Sequence, residues 1–236
     1  MQELRSVDID YNSKEYKRTR TIHHIEAALE YFFTLLLTGA YIAKAATAIG
    51  ISDATVGIIT QATSVGGVFQ LLSIFISNKR GVKRTVTCGH IMSQLFFATV
   101  WLTPLFSIPR EFKIPLFIGT LFLGWIIHHA IVSPKLSWYF SVIEDKKRGS
   151  YTAVKEIISL ILGTIYTLIM GAMIDGFEAK GNMRGAFLTG GITLLVICVL
   201  HTLTLIFSHE PKAVSQDKDT GALGKLKKLF KNKAYR

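Results

Sequence analysis

Charge is scarce in this sequence. Only 18% of its 236 residues are Asp, Glu, Lys or Arg, half are hydrophobic, and mean hydropathy is +0.37. A soluble domain of this length needs a polar surface, and so few charges cannot cover one. Cysteine is nearly absent. Cys88 and Cys198 are far apart and lie in apolar segments, which excludes a disulfide framework and leaves them as small hydrophobes. Acidic residues are outnumbered 16 to 27 by Lys and Arg, for a net charge of +11 and a pI of about 9.7. That balance often marks a nucleic-acid binder. Here the aromatic residues fall inside apolar runs rather than among the cations, so there is no base-stacking platform and no nucleic-acid partner is expected. Residues 1–24 are polar and mixed in charge, unlike a cleaved signal. The sequence has no GxxxxGK[ST] loop, no HExxH, no acid-rich metal cluster, no paired catalytic carboxylates and no nucleophile motif. No enzyme, cofactor or metal is therefore expected.

What the chain has instead is long apolar runs. Stretches free of Asp, Glu, Lys and Arg cover Ala54–Ser77, Thr85–Pro109, Ile114–Pro134, Ile157–Ile174 and Gly185–His209. A sixth segment, 27–50, is as apolar but holds Glu30 and Lys44. Crossing a hydrocarbon core of ~30 Å as helix takes ~20 apolar residues. In lipid each span must satisfy its own backbone, so such runs are helices. The shorter alternating segments of a barrel are absent. The expectation is an all-α, polytopic membrane protein with six transmembrane helices: 1–23 as a cytoplasmic N-terminal segment, 24–209 as the bundle, and 210–236 as a basic cytoplasmic tail or linker.

The cations give the orientation. With the N-terminus inside, one membrane face collects 21 of the 27 Lys and Arg, among them Lys79, Arg80, Lys83, Arg84, Lys135, Lys146, Lys147 and Arg148, and the other face collects five, Lys44, Arg110, Lys113, Lys180 and Arg184. Cytoplasmic loops carry the excess of basic residues, so both termini are expected to be cytoplasmic. Pro109 and Pro115 are expected to bracket an outer loop, Pro134 to lie near the inner end of the fourth helix, and Ser52 or Asp53 to cap the second. In the tail, Leu223, Leu226, Leu229 and Phe230 fall on one helical face opposite lysines, a pattern for either an interfacial helix or a solvated linker.

Polar residues inside spans are rare and default to function. Glu30 lies about one turn inside the first helix and reads equally as functional or as interfacial. Lys44 lies near the outer end, where a long side chain snorkels to water. His128 and His129 are helix neighbours about 100° apart, so only one can face the bundle interior squarely. A neutral imidazole paired to a neighbouring helix and a proton relay are both open readings. Gln61, Gln70, Gln94, Trp125 and Tyr166 can line a polar cavity or make interhelical hydrogen bonds.

Two stretches add a resemblance. Ser77–Arg84 reads SNKRGVKR, and Ser133–Glu156 reads SPKLSWYFSVIEDKKRGSYTAVKE. The first resembles the loop between helices two and three of the major facilitator superfamily, roughly G-x-L-a-D-r-x-G-r-k. Gly81 falls on its second glycine, Lys79 and Lys83 on basic positions, Asn78 on the aspartate and Ile74 on the first glycine. The last two depart from the pattern. The second stretch is similar to that family's junction of helices four and five, with Pro134, Trp138, Glu144, Asp145, Arg148, Gly149, Tyr151, Ala153 and Lys155 in order. The resemblance covers 22–236 and implies the N-terminal six-helix half of a twelve-helix, alternating-access secondary transporter in the cell membrane, moving a small solute. It also implies a second half, whether missing sequence, a separate chain or a self-associated copy. Asn78, Lys79, Gly81, Lys83, Arg84, Glu144, Asp145, Arg148 and Gly149 would then form inner-face gating elements. Glu30, Gln61, Trp125, His128, His129 and Tyr166 are the candidate solute or proton path. The helix-five run lacks the glycine–proline signature of drug–proton antiporters. The departures at Ile74 and Asn78 keep a second expectation open, a non-transporting membrane scaffold or truncated remnant.

Overall fold

The computed structural model describes residues 10–73 and 81–211. All regular structure among them is helical: α1 (Lys14–Leu36), α2 (Gly39–Ala48), α3 (Asp53–Ile59), α4 (Ala62–Val68) running into a 3-10 turn at Phe69–Leu72, α5 (Val82–Leu102), α6 (Arg110–Ser141), α7 (Arg148–Ala179) and α8 (Met183–Phe207). Asn78, Lys79 and the amphipathic tail lie outside the described residues.

Local chemistry sets several starts. Ser13, Ser52 and Asn182 accept from the backbone N–H three residues on, capping α1, α3 and α8. Ser52 rather than Asp53 is therefore the cap. The prolines behave differently from expectation. Only Pro109 marks a boundary, as the residue before α6, whereas Pro115 and Pro134 lie inside that helix. Pro134 forfeits one intrahelical bond yet α6 runs on to Ser141, because packing against neighbouring helices holds it. Over its described residues the second apolar run is likewise not one rod but α3, α4 and the 3-10 turn.

The first apolar run breaks too. α1 and α2 meet at 43° across Leu37 and Thr38. Thr38 is extended and Gly39 has φ +56°, a left-handed conformation that favours glycine. A break in an apolar span frees carbonyls that lipid cannot satisfy. Here Trp101 Nε1 donates to Leu36 O at 3.0 Å and Thr38 Oγ1 donates to Thr34 O at 2.9 Å.

Among the described residues three segments, Arg110–Ser141, Asp145–Ala179 and Met183–Phe207, are long and apolar enough to cross a membrane, and the bent α1–α2 pair makes a fourth if counted as one span. α1 packs against α7 and α8, α8 against α5, α5 against α6, and α6 against α4. The main core joins Phe33, Leu36, Phe97, Trp101, Phe117, Leu121, Trp125, Phe187 and Leu194. A Cβ at Gly66 would lie 2.7 Å from the His129 ring and 2.9 Å from Trp125 Cβ, so α4 and α6 touch only because that residue is glycine.

Candidate functional site

The site begins with Glu26 and Glu30, one turn apart on α1 and so on one face. Opposite them α6 presents Lys135. Its Nζ lies 3.1 Å from Glu26 Oε1 and forms a close ion pair with Glu30 Oε2. Charge counting assigned Lys135 to the inner membrane face. Its side chain is 11% exposed and packs against α1, because α6 continues through Pro134 rather than ending there. Glu30 is correspondingly an ion-paired residue of the helix interface rather than a solvated interfacial one, its side chain 23% exposed.

Imidazoles surround the pair. His128 Nε2 lies 3.5 Å from Glu30 Oε1. His201 on α8 donates from Nε2 to Glu26 Oε1 at 2.9 Å, and its Nδ1 receives the Gln94 amide at 2.7 Å. His90 on α5 packs against His201 with ring centroids 4.3 Å apart and the planes tilted by 45°. His23 Nδ1 stands 4.0 Å from Glu26 Oε2. Aromatic rings close both ends: Trp138 and Tyr139 pack on His23, and Phe33 and Trp125 pack on His128. The outcome is a polar core with two carboxylates and one ammonium, shielded by aromatic layers.

The expected path residues divide. Glu30, Trp125 and His128 belong to this core. His129 turns away and meets Thr63 of α4 at 3.4 Å. Gln61 is exposed at the α3–α4 break. Tyr166 stacks on Phe32 at 4.5 Å in the α1–α7 contact, apart from the cluster. Sequence reasoning weighed Glu30, His128 and Gln94 but missed Glu26, Lys135, His90 and His201 as partners. The usable signal was that His90 and His201 stand alone in charge-free runs.

The described gating residues form two separate groups. Glu144 pairs with Lys147 at 2.7 Å and Asp145 with Arg148 at 2.8 Å, both within one short turn. The Lys147 ammonium holds the Glu144 carboxyl below its ordinary range. Arg148 also donates to Phe140 O at 3.2 Å, and Gly149 is exposed. Gly81, Lys83 and Arg84 sit elsewhere. Lys83 donates to Ile206 O at 2.5 Å and Ser208 O at 2.9 Å, so a cation meets the C-terminus of α8. Glu210 returns the exchange, accepting from Val82 N at 2.6 Å beside Gly81. Arg84 is exposed. Among the described residues no ion pair joins Lys83 or Arg84 to Glu144 or Asp145. The segment 208–210 is a clasp: His209 N donates to Thr19 Oγ1 and His209 O accepts from Trp138 Nε1, both at 2.9 Å.

On the opposite end Lys44 does more than snorkel. It pairs closely with Glu178 and lies 3.6 Å from Asp175.

Long apolar helices around an ion cluster are the make-up of a membrane protein. The family model described as Major Facilitator Superfamily matches residues 27–235. The chain belongs to that superfamily, whose members are membrane transporters. No curated protein and no solved structure matches it.

Proposed function

We infer that this chain is one six-helix half of an alternating-access transporter for a small solute, with both termini cytoplasmic and residence in the cell membrane. The broken α3–α4 run supplies the second span and α5 the third. Residues 1–23, 24–209 and 210–236 then serve as inner segment, bundle and inner tail or linker. One observation carries the reading: Glu26, Glu30 and Lys135 form an ion cluster, ringed by histidines, inside a bundle whose main core is apolar. A charge at the bilayer centre costs ~2.5–3.5 kcal/mol on insertion scales, and apolar packing usually stabilises at least as well as a buried ion pair. Retaining such a cluster fits a conformational or solute-binding role, with Glu30 and His128 nearest the path and Gln61, Trp125, His129 and Tyr166 as its flanks. The inner-face groups around Arg148 and Lys83, with Asn78 and Lys79 from the intervening loop, are the gating elements.

The test is uptake by proteoliposomes over a panel of labelled sugars, amino acids, organic anions and organic cations. The expected result is flux of at least one class, lost in E30Q with folding intact. No flux of any solute by a folded protein overturns the reading and favours the scaffold. The apolar exposed face of α7, with Ile157, Leu160, Ile161, Leu168 and Ile169, is open to lipid or to a partner half. Native mass and crosslinking check for the partner half, and full transport by a monomer contradicts it.

A further inference from the structure

The polar core holds a second arrangement that ion pairing does not use up. The carboxylate of Glu26 and the imidazoles of His90 and His201 each place one donor atom within 4.8 Å of the other two. Some point then lies within about 2.8 Å of all three atoms, against ~2.0–2.2 Å for zinc–nitrogen and zinc–oxygen bonds. Small side-chain rotations close that gap. The residues come from α1, α5 and α8 and are 4%, 1% and 0% exposed.

His90 supplies the independent observation. Neither of its ring nitrogens has a hydrogen-bond partner, although the residue is almost fully buried. An unsatisfied buried polar group costs about 1–3 kcal/mol. Its ring is packed directly on His201, so its free donor atom is aimed at the same small volume.

The geometry points to a resident divalent transition-metal site of two imidazoles and one carboxylate, bracing α1, α5 and α8. This donor set suits ions of the zinc, cobalt(II) and iron(II) class and not calcium or magnesium, which take oxygen ligands. Binding needs no covalent step. His201 moves its ring proton from Nε2 to Nδ1, freeing Nε2 for the ion. Gln94 accommodates the change by turning its amide. Its Oε1 has no partner in the present arrangement, and after the turn it accepts from Nδ1. Lys135 is the built-in competitor, since it shares Glu26 Oε1 with His201. With an ion bound it keeps Glu30 alone. Before binding the three charged side chains sum to −1, and afterwards the cluster carries +1. Removing Lys135 should therefore tighten the site. The inference is independent of the transport reading, because the ion can bind whether or not any solute moves.

The test uses the full chain in detergent, purified without a histidine tag and titrated with cobalt(II) alone. Expected are one bound ion per chain, visible absorption of a four- or five-coordinate centre, displacement by zinc, and a raised melting temperature. H90A and H201A should each weaken binding at least about a hundredfold, since outer-shell losses alone reach 10–100-fold. K135M should tighten it by about tenfold, and H24A, outside the cluster, should leave it unchanged. X-ray absorption on the zinc-loaded wild-type protein reads the ligands without any variant that could misfold. Two imidazoles in its scattering support the site. No imidazole scattering, or binding equal in H90A and wild type, overturns it.

Discussion

Two regions of the same bundle are held together by different physics. Around Trp101, Phe117, Leu121, Phe187 and Leu194 the core is apolar, and even the broken end of α1 is closed by an indole N–H. Around Glu26, Glu30, Lys135, His90, His128 and His201 it is polar, ringed by aromatics. Apolar packing tolerates sliding and repacking. A network of paired charges has few satisfactory arrangements, and losing one member strands the rest. The difference locates where the molecule can switch between discrete states and where it merely holds its shape.

The largest effect should come from breaking the polar half. K135A leaves two carboxylates without their ammonium and should cost about 3–5 kcal/mol, the usual loss on removing one partner of a buried pair. Thermal unfolding in detergent measures it, and the triple change E26Q/E30Q/K135M should recover most of the loss. If K135A unfolds like wild type, the two regions do not differ as argued. Next, in the apolar half, W101F removes the donor to Leu36 O and part of the indole volume, for about 1–3 kcal/mol. This loss should not recover with any change in the polar cluster, because the sites are independent. Smaller again is E210A, which strips the carboxylate from the start of α5 and should cost about 0.5–2 kcal/mol, as other lost helix caps do.

The smallest effect belongs to Glu144. Its carboxyl is held low by Lys147, so any stabilisation is present above its unfolded range and disappears as pH falls through the lowered folded value. The Glu144 side chain is 41% exposed and Lys147 more so, so water screens the pair. E144Q should leave the melting temperature at neutral pH unchanged. A clear drop would show that the inner-face turn bears more of the fold than its exposure implies.

These contrasts also explain what could be read from residues alone. The apolar runs were legible because lipid demands continuous hydrophobic length, and Ser52 because capping is local chemistry. The ion pairs of Lys135 were not legible, because counting cations treats any lysine after an apolar run as a flank, and Pro134 invited an early stop. The helix goes on because its neighbours support it, which is tertiary information. His90 and His201 are separated by more than a hundred residues and share no local pattern. Only the packing of α5 against α8 brings them to one carboxylate. Glu30 and His128 were visible as polar residues in spans, but their partner was not.

The clasp at 208–210 has a mechanical consequence. The chain beyond Phe207 is moored at once to α1 through Thr19, to α5 through Val82 and Lys83, and to α6 through Trp138. Force applied along the chain from that side would not swing a loose tether. It would be shared among three rods in the same instant, so the bundle would tilt as one piece instead of shedding its last helix.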